Sequence, residues 1–309
     1  MNAGKKLLPA LMALSLMWGS AYIFLKVSRV DLPPMLLAAL RSSIALPLLA
    51  IVCVHRREFI MNAKILRDML IVGTLNGWLP NCLAALAISN ISSAEAGILQ
   101  STTPIITGVT AALLLKNERL SATTVLSLVA GFIGVILVIL SGFNPNTMGD
   151  FSGYLLILGV SASFGCGTVY ARWAKPKPAA LITSGQLLFA SIAAFTFSLF
   201  LGETWPSEIG SEALLSVLLL GIFSTALPAI LFLIIISKHQ AVKVGAASFL
   251  QPIWAVVLGY FILNEIVQPV QLFGTTIIII SVIMITLEPD ISSLFRPMRH
   301  AVRTLRRSR

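Results

Sequence analysis

Apolar residues run along this chain in blocks of about 20, the length a helix needs to cross the hydrocarbon core of a bilayer. Ten such blocks can be marked, at 7–28, 34–54, 68–89, 94–115, 121–141, 151–172, 179–201, 213–237, 242–263 and 269–287. The joints between them are short, so no soluble domain fits between spans. Where polar residues enter a block they keep helical spacing: Gln100, Thr103, Thr107 and Thr110 stand at i, i+3, i+7 and i+10 on one face. The pattern predicts an all-α integral membrane protein with ten transmembrane helices, numbered here as spans 1–10. Lys5-Lys6 and the apolar run after them mimic a secretory leader. The run continues past Gly19-Ser20-Ala21 to Val27, long enough to span, and is read as span 1.

The pattern also repeats. Pro80 and Pro104, near the middle of spans 3 and 4, recur 148 residues later as Pro228 and Pro252. Ser89/Ser237 and Gly97/Gly245 keep the same offset, Asn117-Glu118 meets Asn264-Glu265 at 147, and Arg41 meets Gln186 at 145. Residues 1–145 and 146–290 are therefore read as two five-helix repeats, and 291–309 as a basic tail. Five is odd, so the second repeat enters the membrane from the opposite side: two inverted repeats, an architecture of alternating access. A proline inside a helix removes a donor and clashes with the preceding turn. Such breaks persist in lipid only where protein or water satisfies the freed carbonyls. Pro80, Pro104, Pro228 and Pro252 are candidate hinges.

Charge places the loops. The chain is 57% hydrophobic and 11% charged, with a net charge of +10. With the N-terminus inside, all but three of its 22 Lys and Arg fall in cytoplasmic segments, six arginines of them in the tail. Lys26 and Arg29 are left to an outer loop and Arg41 to a span, while Asp150, Glu203, Glu208 and Glu212 lie outside. The positive-inside rule then puts both termini in the cytoplasm of a multi-pass protein of the cytoplasmic membrane. The basic balance is a topology signal, and no nucleic-acid partner is expected. Cys53, Cys82 and Cys166 lie in or at the ends of spans and imply no disulfide framework.

Trp18-Gly19-Ser20, Asp31-Leu-Pro-Pro34 leading into Leu36-Leu-Ala-Ala-Leu-Arg41, Thr103-Pro104 and Asn117-Glu118-Arg119-Leu120 occur in an order that resembles the drug/metabolite transporter superfamily. Within it the chain is similar to the EamA-like group of paired five-helix domains, over essentially its whole length. The resemblance implies a small-metabolite permease, often an exporter of amino acids or related solutes. It implies that spans 1, 3 and 4 and their mates surround a central cavity, with spans 5 and 10 peripheral. Two departures stand out: Asn117 and Asn264 replace the family's usual glycine before the glutamate, and Gln186 stands where the arginine of span 2 would repeat.

Candidate substrate-binding residues follow from polar and aromatic positions beside the breaks. In span 4 these are Gln100 and Thr103; in span 9 they are Ser248, Gln251 and Trp254 around Pro252. Span 3 contributes Asn76, Trp78 and Asn81, and span 1 contributes Trp18 and Tyr22. Each has a packing alternative, since hydroxyls and amides also bond helices together at about 0.6 kcal/mol apiece. Arg41 is the only charge well inside a span, and an intramembrane ionisable group is a functional candidate. Its fork can take a substrate carboxylate or bind carbonyls freed near Pro80 or Pro104. Lys26 and Arg29 read as snorkelling, Glu95 as a helix-dipole partner, and Glu118 and Glu265 as interfacial helix ends.

Three classes compete. A secondary transporter exporting a small organic solute, working as a monomer with the bilayer and a small-molecule substrate as partners, fits best. A phosphorylated-metabolite or nucleotide-sugar antiporter would need more cavity cations than Arg41. A membrane-embedded enzyme is disfavoured, because no span is expected to hold an Asp and no Cys/His set has metal spacing. No cofactor and no metal are expected.

Overall fold

The computed structural model describes residues 3–58, 60–114, 122–142, 148–174, 178–236 and 251–287. Fourteen helices are distinguished among these residues. Span 1 is α1 (Ala3–Gly19) and α2 (Ala21–Ser28), and span 2 is α3 (Pro34–Arg56). Span 3 is α4 (Ala63–Gly73), a π-helical turn at Thr74–Trp78, and α5 (Leu79–Ala87). Span 4 is α6 (Ser93–Gln100) and α7 (Thr103–Leu114), and span 5 is α8 (Ala122–Gly142). The second repeat supplies α9 (Met148–Ala174), α10 (Ala179–Phe200) and α11 (Ser211–Gly221). A π-helical turn at Ile222–Ala226 joins α11 to α12 (Leu227–Ile236), and α13 (Gln251–Leu263) and α14 (Pro269–Leu287) complete it. Six helices are long and apolar enough to cross a membrane, and three shorter apolar ones accompany them among the described residues.

The expected spans are found, with two differences. Span 3 starts at Ala63, where the Asn62 side chain caps it by accepting from the Ile65 amide at 2.9 Å. Hydropathy hid residues 63–67 because Lys64 and Arg67 stand among them. Asp68, the first residue of the block read from hydropathy, stands well inside the helix that starts at Ala63, which corrects the expectation that no span holds an Asp. It is buried, accepts from the Tyr170 hydroxyl at 2.6 Å and pairs with Arg67 at 3.5 Å. Span 1, expected to be continuous, breaks at Ser20. The Ser20 hydroxyl meets that of Ser224 at 3.0 Å.

Among the described residues spans 1 to 4 and 6 to 9 form a closed ring in the order 1, 8, 2, 7, 3, 6, 4, 9, while α8 and α14 pack on each other outside it, against span 4. Exchanging each span with its repeat mate returns the same ring, as a two-fold axis in the membrane plane requires. Spans 1 and 6, and spans 3 and 8, lie across the ring and do not pack extensively on each other among the described residues.

The two halves of the bundle differ in packing. Toward the face carrying Asp31, Glu203 and Glu265 (the acidic face), one apolar cluster joins both repeats. It includes Leu25, Leu37, Ile88, Leu99, Ile157 and Leu220, all fully buried. Toward the opposite face, which carries Arg56, Lys64 and Arg67, the described core divides. Leu11 and Leu14 pack with Leu231 and Phe232, whereas Ile65 and Met69 pack with Ile182 and Phe189. A third group gathers Leu49 and Cys53 with Leu187 and Ala226. Among the described residues one large cluster spans the acidic half, and smaller clusters, two of them sharing Leu181, occupy the basic half.

Candidate functional site

The prolines of spans 3 and 8 produce matching defects. Each π turn ends two residues before its proline, and the two turns are related by the same 148-residue offset as Pro80 and Pro228. Inserting one residue into a turn shifts the ladder to i→i−5 bonds, so the Leu79 amide reaches Thr74 O and the Leu227 amide reaches Ile222 O. Pro80, Pro228 and Pro252 are buried and so face protein rather than acyl chains.

Each π turn is held by a polar side chain from the neighbouring span of the opposite repeat. Arg41 in α3 donates from Nε to Thr225 Oγ1 at 2.8 Å, and the Thr225 hydroxyl donates onward to Leu220 O at 2.7 Å. Its repeat mate Gln186 in α10 donates from Nε2 to Asn76 O at 2.9 Å. Arg41 thus bonds the kink at Pro228, not carbonyls near Pro80 or Pro104. Tyr22 is buried within electrostatic range of Arg41, and Ser20 and Ser224 join spans 1 and 8 beside them. Trp18, the other candidate that span 1 contributes, tilts against Phe232 with ring centroids 6.1 Å apart.

Span 4 breaks at Ser101-Thr102, one residue before Thr103-Pro104. Three consecutive hydroxyls turn back onto the carbonyls that the break strands: Ser101 to Ile98 O, Thr102 to Leu99 O at 2.7 Å and Thr103 to Gln100 O at 2.7 Å. Pro104 has no N–H to offer Gln100 O, and the Thr103 hydroxyl takes its place. Thr107 donates to Thr103 O at 2.8 Å, and Ser161 of α9 adds contacts to Leu99 O and Gln100 O at 3.3 and 3.4 Å. The expected stripe therefore divides. Thr103 and Thr107 have donated their protons to the backbone, while the partly exposed Gln100 amide has no partner among the described residues. Thr103→Val should cost about 1–3 kcal/mol through the stranded carbonyl, read as a lower melting temperature in detergent; Thr103→Ser should leave it unchanged.

Gln251 is buried, and its carbonyl and Trp254 Cβ sit against Gly19, where a Cβ would come within 2.9 and 2.8 Å of them. Trp254 donates its indole N–H to Ser15 at 3.0 Å. Ser248 lies outside the described residues. Asn76 Oδ1 is enclosed beside Gly167 without a partner among the described residues, and buried Asn81 makes no side-chain hydrogen bond there. Trp78 turns away from these groups. It stacks on Phe197 at 5.1 Å and 18°, and Phe197 is 45% exposed on the outside of the bundle. The geometry brings Tyr22 and Arg41 together around the span 8 kink, sets Trp18 and Trp254 on adjoining faces of span 1, and leaves Trp78 in peripheral packing.

The profile of the EamA-like transporter family matches residues 6–140 and again residues 151–287. The chain belongs to the EamA-like transporter family. It is 24% identical over 284 residues to the uncharacterized transporter YoaV of Bacillus subtilis (strain 168), covering 91% of this chain and 97% of that one. It is 24% identical over 289 residues to the uncharacterized inner membrane transporter YedA of Escherichia coli (strain K12), covering 92% of each. A solved crystal structure superposes with a TM-score of 0.64 at 17% identity over 89% of this chain and 98% of that one, a likeness of fold.

A second set of functional contacts escaped the sequence reading of this EamA-like chain. Arg57, Gly202 and Asn264 adopt left-handed backbone with φ of 54°, 68° and 52°, and each is followed by a glutamate. The glutamate amides bond back to Cys53 O, Ser198 O and Gly259 O, closing the helix ends. Their carboxylates then cross to the N-terminus of a helix in the other repeat. Glu203 accepts from the Met35 and Leu36 amides at 3.1 and 2.8 Å and from Ser198 Oγ at 2.9 Å. Its mate Glu58 accepts from the Ala180 amide at 3.0 Å. Glu265 accepts from the Ser93 amide and hydroxyl at 2.9 and 2.8 Å and from the Ala94 amide at 3.1 Å. It caps α6 rather than merely finishing its own helix. Asn264 does the glycine's job because asparagine tolerates left-handed backbone better than most residues.

Glu95 completes this layer. It is 7% exposed, forms a capping box with Ser92, and accepts from Tyr154 at 2.8 Å and Gln271 at 3.1 Å. Cations close the opposite helix ends: Lys26 donates to Ile91 O at 2.8 Å, and Arg29 donates to Ala85 O and Ser89. These two therefore stitch span 1 to span 3 instead of snorkelling. Partial burial pushes the Arg29 guanidinium somewhat below its usual range, and nearby Glu203 offsets part of that.

Proposed function

We propose that this EamA-like protein is a secondary transporter that carries a small polar organic solute across the cytoplasmic membrane by alternating access, in the export direction, with both termini in the cytoplasm. The observation that carries the reading is the difference between the two halves of the ring. Among the described residues one large apolar cluster, with a smaller one at Met35, Ala39 and Cys82, joins the repeats toward the acidic face, while toward the basic face the described core falls into smaller groups. The four breaks sit between them, where polar groups gather on spans 1, 3, 4 and 8. A solute would enter from the basic, cytoplasmic side and bind among Tyr22, Arg41, Gln100 and Trp254. It would leave once the acidic-side layer opened and the basic side closed. Such a cycle exchanges which end of the ring is packed, and the two-fold relation makes the two end states similar in energy.

The test is overexpression in cells challenged with toxic amino-acid analogues and, separately, lipophilic cations. Resistance to one class, with faster efflux of that compound from preloaded cells, is the expected result. Sensitisation to the same class would reverse the direction. Unchanged survival and unchanged flux across both classes would defeat the exporter reading.

A further inference from the structure

We infer that spans 2 and 7 form a fixed seam of the ring, clasped at its two ends by Glu203 and Glu58, that stays closed in both access states while neighbouring seams exchange. This rests on the alternating-access reading above. α3 and α10 run antiparallel, and the start of each helix is closed by the chain leaving the other. Beyond α10 the chain turns at left-handed Gly202 and sends Glu203 to the Met35 and Leu36 amides. Beyond α3 it turns at left-handed Arg57 and sends Glu58 to the Ala180 amide. Met35 and Ala180 are repeat mates at the 145-residue offset that also relates Glu58 to Glu203. The two clasps are one contact made twice, once at each end of the bundle. Between them the helices remain in touch. Met35, Ala38 and Ala39 pack with Ala194, the Ser43 and Ser191 hydroxyls meet at 2.6 Å, and Leu49 and Cys53 pack with Ala180 and Leu187.

In an inverted repeat, the opposite access state follows when the two repeats exchange conformations. The seam between spans 1 and 8 then takes the form that its counterpart, between spans 6 and 3, has now. Those two seams differ. The Ser20 and Ser224 hydroxyls join spans 1 and 8 at 3.0 Å, whereas Oδ1 of Asn76, the mate of Ser224 at offset 148, has no partner among the described residues. Spans 2 and 7 are each other's mates, so the exchange carries their seam onto itself with its ends reversed. Both ends are clasped in this structure, so both remain clasped afterwards. The difference between the ends is the Leu36 amide, which Glu203 holds in addition to that of Met35. The chemistry suits a permanent tie. An ionised carboxylate on backbone amides makes charge-assisted bonds, and the first amides of a helix have no partner within it.

The experiment uses the full chain with Cys53, Cys82 and Cys166 replaced by alanine, in right-side-out and inside-out membrane vesicles. Gln100→Cys, beside the break in span 4, is the reporter, and a charged, membrane-impermeant thiol reagent reads access to it from each side. Without a cross-link it should be labelled from both sides. The pair Ser43→Cys and Ser191→Cys should oxidise to a disulfide, located by mass spectrometry, and leave labelling from both sides unchanged. The pair Ser20→Cys and Ser224→Cys should also oxidise, and should slow labelling from one side roughly tenfold or more, as removal of one of two states requires, with recovery on reduction. Hydrogen exchange reads the clasps themselves: peptides carrying the Met35, Leu36 and Ala180 amides should be equally protected with the 20–224 disulfide formed and reduced. Loss of labelling from either side on forming the 43–191 disulfide, failure of that disulfide to form, or faster exchange at a clasp once the 20–224 lock is reduced would overturn the inference and leave the two-state reading standing. So would labelling from both sides with the 20–224 disulfide in place. A reporter labelled from one side only without any cross-link would instead defeat the alternating-access reading.

Discussion

Gly97→Ala should destabilise this protein severely, and adding Ala255→Gly should restore it. Gly97 lies on α6 where that helix crosses α13, and a Cβ placed there would overlap the Cβ of Ala255. The obstacle is a Cβ rigidly attached to the backbone, so no side-chain rotation relieves it and the two helices must separate. Small residues at such crossings allow backbones to approach, and packing at close range is a main source of helix association in lipid. Overpacking of this kind costs typically about 1–3 kcal/mol. The consequence here extends further, because Tyr22 Cδ2 also lies 3.9 Å from the same point. Prying α6 from α13 would disturb the wall of the candidate site and the contact between repeats together. In detergent, Gly97→Ala should melt well below the parent, and in cells it should lose transport activity; Ala255→Gly should be only mildly destabilised, and the double variant should recover most of both properties. Contacting residues show such non-additivity, whereas distant ones add within about 0.3–0.5 kcal/mol. Additive losses in the double variant would mean that the crossing is looser than described.

Much of this was legible in the residues, and the exceptions have physical causes. The spans could be read because lipid demands long apolar helices, and the repeat could be read because kinks need proline. What proline could not reveal was the π turn upstream of it. That turn depends on how closely a neighbour approaches: a Cβ at Gly73 would stand 3.1 Å from Phe189 Cβ, and one at Gly221 would meet Ile44 and, at 3.2 Å, Arg41 O. The threonine stripe of span 4 was read as facing a solute. A hydroxyl next to a stranded carbonyl bonds locally first, and helical spacing is blind to that competition. Arg41 was found and correctly paired with Gln186 by offset, but its partner lies 184 residues away on an inverted helix. Asp68 opened the block read from hydropathy and so looked like a span end, because the charged residues Lys64 and Arg67 hid the start of the helix at Ala63. Glu58 was overlooked although it sits 145 residues before Glu203, the offset that links Arg41 to Gln186.

Those glutamates give the second large effect. Glu203→Ala and Glu265→Ala should each lower stability by about 2–4 kcal/mol, since each removes three hydrogen bonds to an ionised acceptor, two of them from backbone amides at a helix start. Glu58→Ala, which removes one such bond, should cost nearer 1 kcal/mol. The ordering is the sharper part of the prediction. Glu203 caps a helix that opens with Pro34, so the Met35 and Leu36 amides it binds are the first donors that helix has. Without the carboxylate they would be stranded in a half-buried site beside the apolar layer, where lost donors are expensive. Glu265 is similarly placed on α6, alongside buried Glu95. Both carboxylates belong to the second repeat and close helices of the first, so they also act as clasps between repeats on the sealed face. Weakening them should loosen that face: a cysteine introduced at Ser89 should become more reactive to a charged, membrane-impermeant thiol reagent in Glu265→Ala than in the parent. Melting temperatures that fall equally for Glu58→Ala and Glu203→Ala, or thiol reactivity unchanged by Glu265→Ala, would show that these contacts do not hold the acidic face shut.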